Sequence, residues 1–141
     1  MLKEFSNIDS VKTISLTNED KVNGVVIISH GMAEHMGRYS WLTNKLNKDG
    51  YHVIGHDHRG HGKWIKNGFK EGVFHSSNGW NLVADDLTNL IYDSQAEFPN
   101  HKHYLLAHSM GSYVALSAVS KNLSLSGLIL SGSSHISPSV S

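Results

Sequence analysis

The residues with the most chemical promise stand together at His108-Ser109-Met110-Gly111. They close an apolar run, His103-Tyr104-Leu105-Leu106-Ala107, and past Ser112 the residues Val114, Ala115, Ala118 and Val119 recur at helical spacing. That pattern reads as a strand, one sharp turn and a helix, with Ser109 at the tip of the turn. Small residues two positions either side, Ala107 and Gly111, let the two backbones approach without a Cβ clash. The arrangement is a nucleophile elbow, G-x-S-x-G with alanine in first place. A serine exposed in this way attacks a carbonyl carbon. The unpaired N–H groups at the helix amino terminus receive the charge that develops on the oxygen. The five residues alone fit an ordinary serine N-cap equally well. The flanking strand and helix periodicity favours the elbow.

The rest of the chain supplies elements to hold such a turn. Val11 to Leu16 alternates apolar and polar, as a half-buried strand does. Turn residues follow from Asn18 to Gly24, and Val25 to Ser29 is a β-branched run suited to a strand covered on both faces. His30 to Arg38 breaks the pattern. Tyr39 to Lys48 reads as a short amphipathic helix with Gly50 just past its end. Tyr51 to Asp57 is the next strand, and a polar, glycine-rich loop runs from His58 to about Asn78. Leu82, Val83, Leu87, Leu90 and Ile91 stripe a longer helix that stops before Pro99. After the elbow, its helix runs to about Lys121 and a last strand spans Gly127 to Ser131. Val114, Leu116 and Trp80 read as core. Strands alternating with helices predict an α/β fold with a largely parallel sheet and right-handed crossovers. Sites in such sheets lie beyond the carboxyl ends of the strands. His30-Gly31-Met32, the Asp57–Gly62 stretch and Ser109 all fall there.

Composition narrows the function classes. The 141 residues suffice for one domain, 1–141, with a real core. Net charge is zero, so no basic stripe suggests nucleic acid. Without cysteine there is neither a disulfide framework nor thiol chemistry. The N-terminus lacks the apolar core of a signal peptide, and the apolar runs are too short to span a bilayer. A soluble cytoplasmic protein is the expectation.

Three ordered stretches carry a resemblance: His30-Gly31-Met32-Ala33-Glu34-His35 with Gly37-Arg38-Tyr39, then Asp57-His58-Arg59-Gly60-His61-Gly62, then Ala107-His108-Ser109-Met110-Gly111. In order, spacing and strand context the chain resembles the α/β-hydrolase family over nearly its whole length. Within that family it is most similar to the monoacylglycerol lipase and lysophospholipase branch, which belongs with the serine aminopeptidase S33-type hydrolases. The resemblance implies a serine hydrolase acting on a small lipid or other carboxylic ester. Ser109 would be the nucleophile. The backbone N–H groups of Met110 and Met32 would be the oxyanion donors. Asp57 and Arg59 would tie the loop near the site, with His30, Gly31, Gly60, His61, Gly62, His108 and Gly111 supporting the motifs. No cofactor is implied. Transient contact with a membrane surface and self-association of the chain are further expectations.

The chain departs from the family pattern at Ala107, at Ser112 where a further glycine is common, and at Lys63 where a serine often stands. A larger departure concerns the triad, whose acid and base follow the serine in chain order in this family. The sequence therefore reads as the N-terminal part of such a hydrolase, without its last strands, its cap or its triad acid and base. His135 follows the wrong strand, and His108 adjoins Ser109 in an extended segment where neighbours point apart. Two rival readings remain. A truncated or inactive hydrolase would bind acyl ligands or a partner without turnover. A metal-dependent hydrolase would use His56, His58 and His61, with His101 and His103 as further ligands. Gly60 stands where that zinc motif carries an aspartate, and a metal site needs its full ligand set.

Overall fold

A computed structural model describes residues 11–74, 77–121 and 123–134. Strands β1 (Lys12–Ser15), β2 (Gly24–Ser29), β3 (Tyr51–His56), β4 (His103–His108) and β5 (Gly127–Ser131) form one sheet in the order β1-β3-β2-β4-β5. β1 runs antiparallel to β3, and every other pairing is parallel. Helices α1 (Ser40–Lys48), α2 (Lys63–Lys66), α3 (Gly79–Glu97) and α4 (Met110–Val119) connect the strands, and a 3-10 turn at Met36–Tyr39 leads into α1. The expected α/β fold with a mostly parallel sheet is observed.

The β-branched run of β2 is buried along its whole length because both faces are covered. Val25 and Ile27 point to the side of α3 and α4, where they meet Leu87, Ile91, Leu105, Val114 and Ala118. Val26 and Ile28 point the other way, onto Met36, Leu42 and Leu46. This follows from the two-residue period of a strand. Each such side chain, wholly removed from water, contributes ~2 kcal/mol.

Three readings are corrected by the packing. The loop expected over His58 to Asn78 contains α2, fixed by the buried indole of Trp64, whose N–H donates to the Asp57 carbonyl at 2.6 Å. Leu116 and Trp80 are not core: they are 42% and 41% exposed. Leu116 lies on the outer face of α4, whose inner face is Val114, Ala115 and Ala118. Trp80 lies in the first turn of α3, where its indole N–H reaches the Ser117 hydroxyl at 3.1 Å.

Candidate active site

β2, β3 and β4 are parallel neighbours, so their carboxyl ends open on one edge of the sheet. The three stretches singled out in the sequence leave from those ends. At the end of β4 the backbone turns through Ser109 with φ 51° and ψ −121°. A non-glycine residue there stores about 1–3 kcal/mol of strain. Ser109 holds the N-cap position of α4 by its backbone, yet its side chain makes no capping hydrogen bond. The N-cap reading thus gives way to the elbow. The turn is fastened elsewhere: Ser109 N–H donates to the Ser131 carbonyl of β5 at 2.9 Å, and Ser112 donates to the Ser109 carbonyl through both N–H (2.9 Å) and hydroxyl (2.6 Å). Ser112, where the family pattern favours glycine, here staples the elbow.

The loop after β2 lies against the elbow. A Cβ built on Gly31 would stand 3.3 Å from both the Ser109 Cβ and the His108 carbonyl. The loop is held from several sides. Gly31 N–H and the Tyr39 hydroxyl both donate to Glu34 Oε1 at 2.5 Å. Burial raises the Glu34 pKa, but these hydrogen bonds and nearby histidines win, and the net shift is downward. Burial raises the Tyr39 hydroxyl, and the Glu34 carboxylate raises it further. Ala33 adopts a left-handed φ of 59° in the same loop.

Beneath the loop is a cluster of buried imidazoles. The His30 and His58 ring centroids are 4.4 Å apart, His30 and His61 5.3 Å, and His56 and His58 5.3 Å. His30 Nε2 accepts the His58 backbone N–H at 2.8 Å, so its neutral ring carries the proton on Nδ1 and donates to the Gly31 carbonyl at 2.7 Å. His58 Nε2 contacts the Ser29 hydroxyl at 2.9 Å. His61 Nδ1 donates to the Arg59 carbonyl at 2.9 Å. Among the described residues neither nitrogen of His56 has a hydrogen-bond partner, and neither does His58 Nδ1. Burial pushes His30 down to about 4, against the opposing bond to Gly31, and pushes His56 down to about 3. His58 is lowered as well, by burial first and by the neighbouring imidazoles second. All three are neutral near pH 7.

Asp57 organises its own loop. Its Oδ1 accepts Met36 N–H at 2.8 Å and its Oδ2 accepts Lys63 N–H at 2.9 Å. Gly62 closes on it so tightly that a Cβ would meet Oδ2 at 2.4 Å. Arg59 forms a two-pronged ion pair with Asp86 of α3, at 2.7 and 3.1 Å, and its guanidinium lies over the Trp64 ring. Burial raises the Asp86 carboxyl and Arg59 opposes the rise. Asp86 escaped the sequence reading, and Glu34 entered it only as part of the loop motif; Asp86 is marked by Arg59, far away in sequence, and Glu34 by Gly31 and Tyr39 of its own loop.

His56, His58 and His61 do not assemble into a ligand set. Among the described residues no group of three or more His, Cys, Asp or Glu side chains is arranged to hold a metal ion. His103 sits at the amino end of β4, a strand's length from His56, with contacts at both ring nitrogens, to the His101 carbonyl and to Ser94. His108 Nδ1 contacts the Ser131 hydroxyl at 3.2 Å. His135 lies outside the described residues. Among those residues the Ser109 hydroxyl has no hydrogen-bond partner, and no helix is long and apolar enough to cross a membrane.

Comparison with known proteins places this geometry in context. A family model described as serine aminopeptidase, S33 matches residues 20–139. The chain is 33% identical over 107 residues to the monoglyceride lipase of Rattus norvegicus, covering 75% of this chain and 33% of that protein. It is 32% identical over 108 residues to a monoglyceride lipase homolog of Monkeypox virus, covering 72% and 34%. Among solved structures, a carboxyl esterase from Bacillus coagulans in complex with glycerol superposes with a TM-score of 0.82 at 32% identity, over 90% of this chain and 41% of that one. The chain spans about one third of the length of the curated relatives it matches.

Proposed function

The chain belongs to the serine aminopeptidase S33 family of α/β-hydrolases, and on that premise we propose that Ser109 is the nucleophile of a carboxylic ester hydrolase. The observation that carries the reading is the elbow itself: Ser109 at φ 51° between β4 and α4, its side chain making no capping hydrogen bond, with Gly31 packed so near that a Cβ built on it would stand 3.3 Å from the Ser109 Cβ. The Ser109 oxygen attacks the ester carbonyl, and the carbonyl oxygen becomes an oxyanion. The backbone N–H groups of Met110 and Met32 receive it. The Gly31 N–H is given to Glu34, and Met32 is the loop donor that the family resemblance implies. Each such donor contributes about 3 kcal/mol to the transition state. The Ser109 hydroxyl proton, carried across by a general base, leaves on the alcohol and an acyl-Ser109 remains; water then adds its hydroxyl to the acyl carbon, its other proton returns to Ser109, and the acid is released. The relatives' names support an acyl-glycerol or lysophospholipid-like substrate.

The test is covalent labelling. A fluorophosphonate probe labels wild-type protein and fails to label Ser109→Ala. Labelling that survives the substitution sinks the assignment.

A second reading, a hydrolase fold that binds an acyl ester without turnover, is favoured by the Ser109 hydroxyl having no histidine partner among the described residues. A serine without a base is a weak nucleophile. Turnover of a short-chain p-nitrophenyl ester separates the two: steady, Ser109-dependent release supports the hydrolase, and a background rate supports the binder.

A further inference from the structure

The buried imidazoles look at first like spare core. Their hydrogen bonds run to both sides of the nucleophile. Ser29 has one hydroxyl proton, and it is given to the Gly111 carbonyl in the first turn of α4, at 2.9 Å. The 2.9 Å contact between Ser29 Oγ and His58 Nε2 is therefore made by a proton on His58 Nε2. The same residue donates its backbone N–H to His30 Nε2, and His30 Nδ1–H then donates to the Gly31 carbonyl. That carbonyl is one end of a peptide group whose other end is Met32 N–H. A hydrogen bond at the oxygen fixes the plane of that peptide and strengthens its N–H as a donor.

We propose that His58 is a positioning residue that holds the two oxyanion arms in register, its backbone aiming the Gly31–Met32 peptide through His30 and its imidazole gripping the first turn of α4 through Ser29. The inference rests on the reading of Met32 and Met110 as the two donors. It requires something unusual of two touching rings: His30 protonated on Nδ1 and His58 protonated on Nε2, 4.4 Å apart. No proton moves in this role. Both rings stay neutral and act by geometry, and neither reaches the substrate.

Nitrogen-15 NMR of the histidine rings, near neutral pH and on the chain as it stands, tests the tie. The expected result is opposite tautomers at His30 and His58. Ser29→Ala, which removes only a hydroxyl, then frees His58 to mix tautomers and moves the Met32 and Met110 backbone amide resonances together. Ser29→Thr keeps the hydroxyl and restores all three signals. Reaction of Ser109 with a fluorophosphonate slows roughly tenfold in Ser29→Ala, less than the loss of a whole oxyanion donor, and recovers in Ser29→Thr. A purely structural serine would lower the melting temperature and leave the tautomers alone. Like tautomers in the two rings, or Met32 and Met110 amides unmoved in Ser29→Ala, overturns the proposal. Opposite tautomers in a protein whose Ser109 never reacts refute the hydrolase reading and leave this tie supported.

Discussion

Gly111 packs so closely on Ser29 that a Cβ built there would lie 2.2 Å from the Ser29 carbonyl oxygen and 2.3 Å from that of His30. These atoms are backbone at the carboxyl end of the central strand and just past it, and cannot swing aside as a side chain would. The close approach is what seats α4 on β2 and sets the pitch of the elbow.

Gly111→Ala is therefore expected to push α4 off the sheet. Overpacking of this kind costs about 1–3 kcal/mol, more where backbone must yield. Chemical denaturation checks the stability, and fluorophosphonate labelling checks Ser109. An alanine variant of unchanged stability that labels at the wild-type rate would contradict the packing.

Ser109→Gly is expected to stabilise the fold relative to Ser109→Ala while abolishing labelling. Glycine adopts φ 51° and ψ −121° without the strain that alanine must carry. Relief of about 1–3 kcal/mol outweighs the roughly 0.5–1 kcal/mol that glycine adds to the entropy of unfolding. Melting temperatures of the two variants decide it, and an equal or lower value for glycine counts against strain at the elbow.

Acid should loosen the protein well above the range in which carboxylates titrate. His30 is pushed down to about 4 and His56 to about 3 in the fold, mainly by burial. In the unfolded chain each returns to about 6.5. Between those values the unfolded chain binds more protons, so stability is full above roughly pH 6.5 and falls as pH drops toward the folded values. At pH 5 the loss is roughly 2 kcal/mol per imidazole. Urea midpoints at neutral pH and at pH 5 measure it directly; identical midpoints would mean that the imidazoles are not buried neutral.

Two neighbouring aspartates of α3 should respond very differently to alanine. Asp86 meets Arg59 with side chains 11% and 9% exposed, whereas Asp85 meets Lys121 with side chains 50% and 47% exposed. Asp86→Ala removes the carboxylate that neutralises a buried guanidinium, and about 3 kcal/mol of stability goes with it. Asp85→Ala breaks a solvated pair worth under ~1 kcal/mol. Denaturation of both variants in parallel gives the contrast, and equal losses would refute it.

Local pattern carried most of the fold. Val25 to Ile28 announced a strand covered on both faces, and Gly50, with φ 89°, closes α1 as its sequence position suggested. The elbow was legible because its backbone demands small residues at fixed offsets, and Ala107 and Gly111 supply them. What escaped depended on how loop side chains turn and on one contact distant in sequence. Residue type alone does not say that Glu34 takes the Gly31 N–H, that Trp64 is buried beneath Asp57, or that Asp86 of α3 meets Arg59. Leu116 and Trp80 misled because helical spacing identifies a stripe, whereas the neighbouring helix decides which side of it is covered.

β5 forms an outer edge of the described sheet, and its Leu128, Ile129 and Leu130 are 38%, 51% and 39% exposed. The Ser109 amide is bonded to its last residue, Ser131. The turn at Ser109 therefore hangs from an exposed edge strand of the described sheet. Anything that frays that margin slackens the serine, and anything that pairs with it stiffens the serine, without touching the pocket side at all. Solvent exchange of the Ser109 amide proton is thus a gauge of whether the margin is bare or covered.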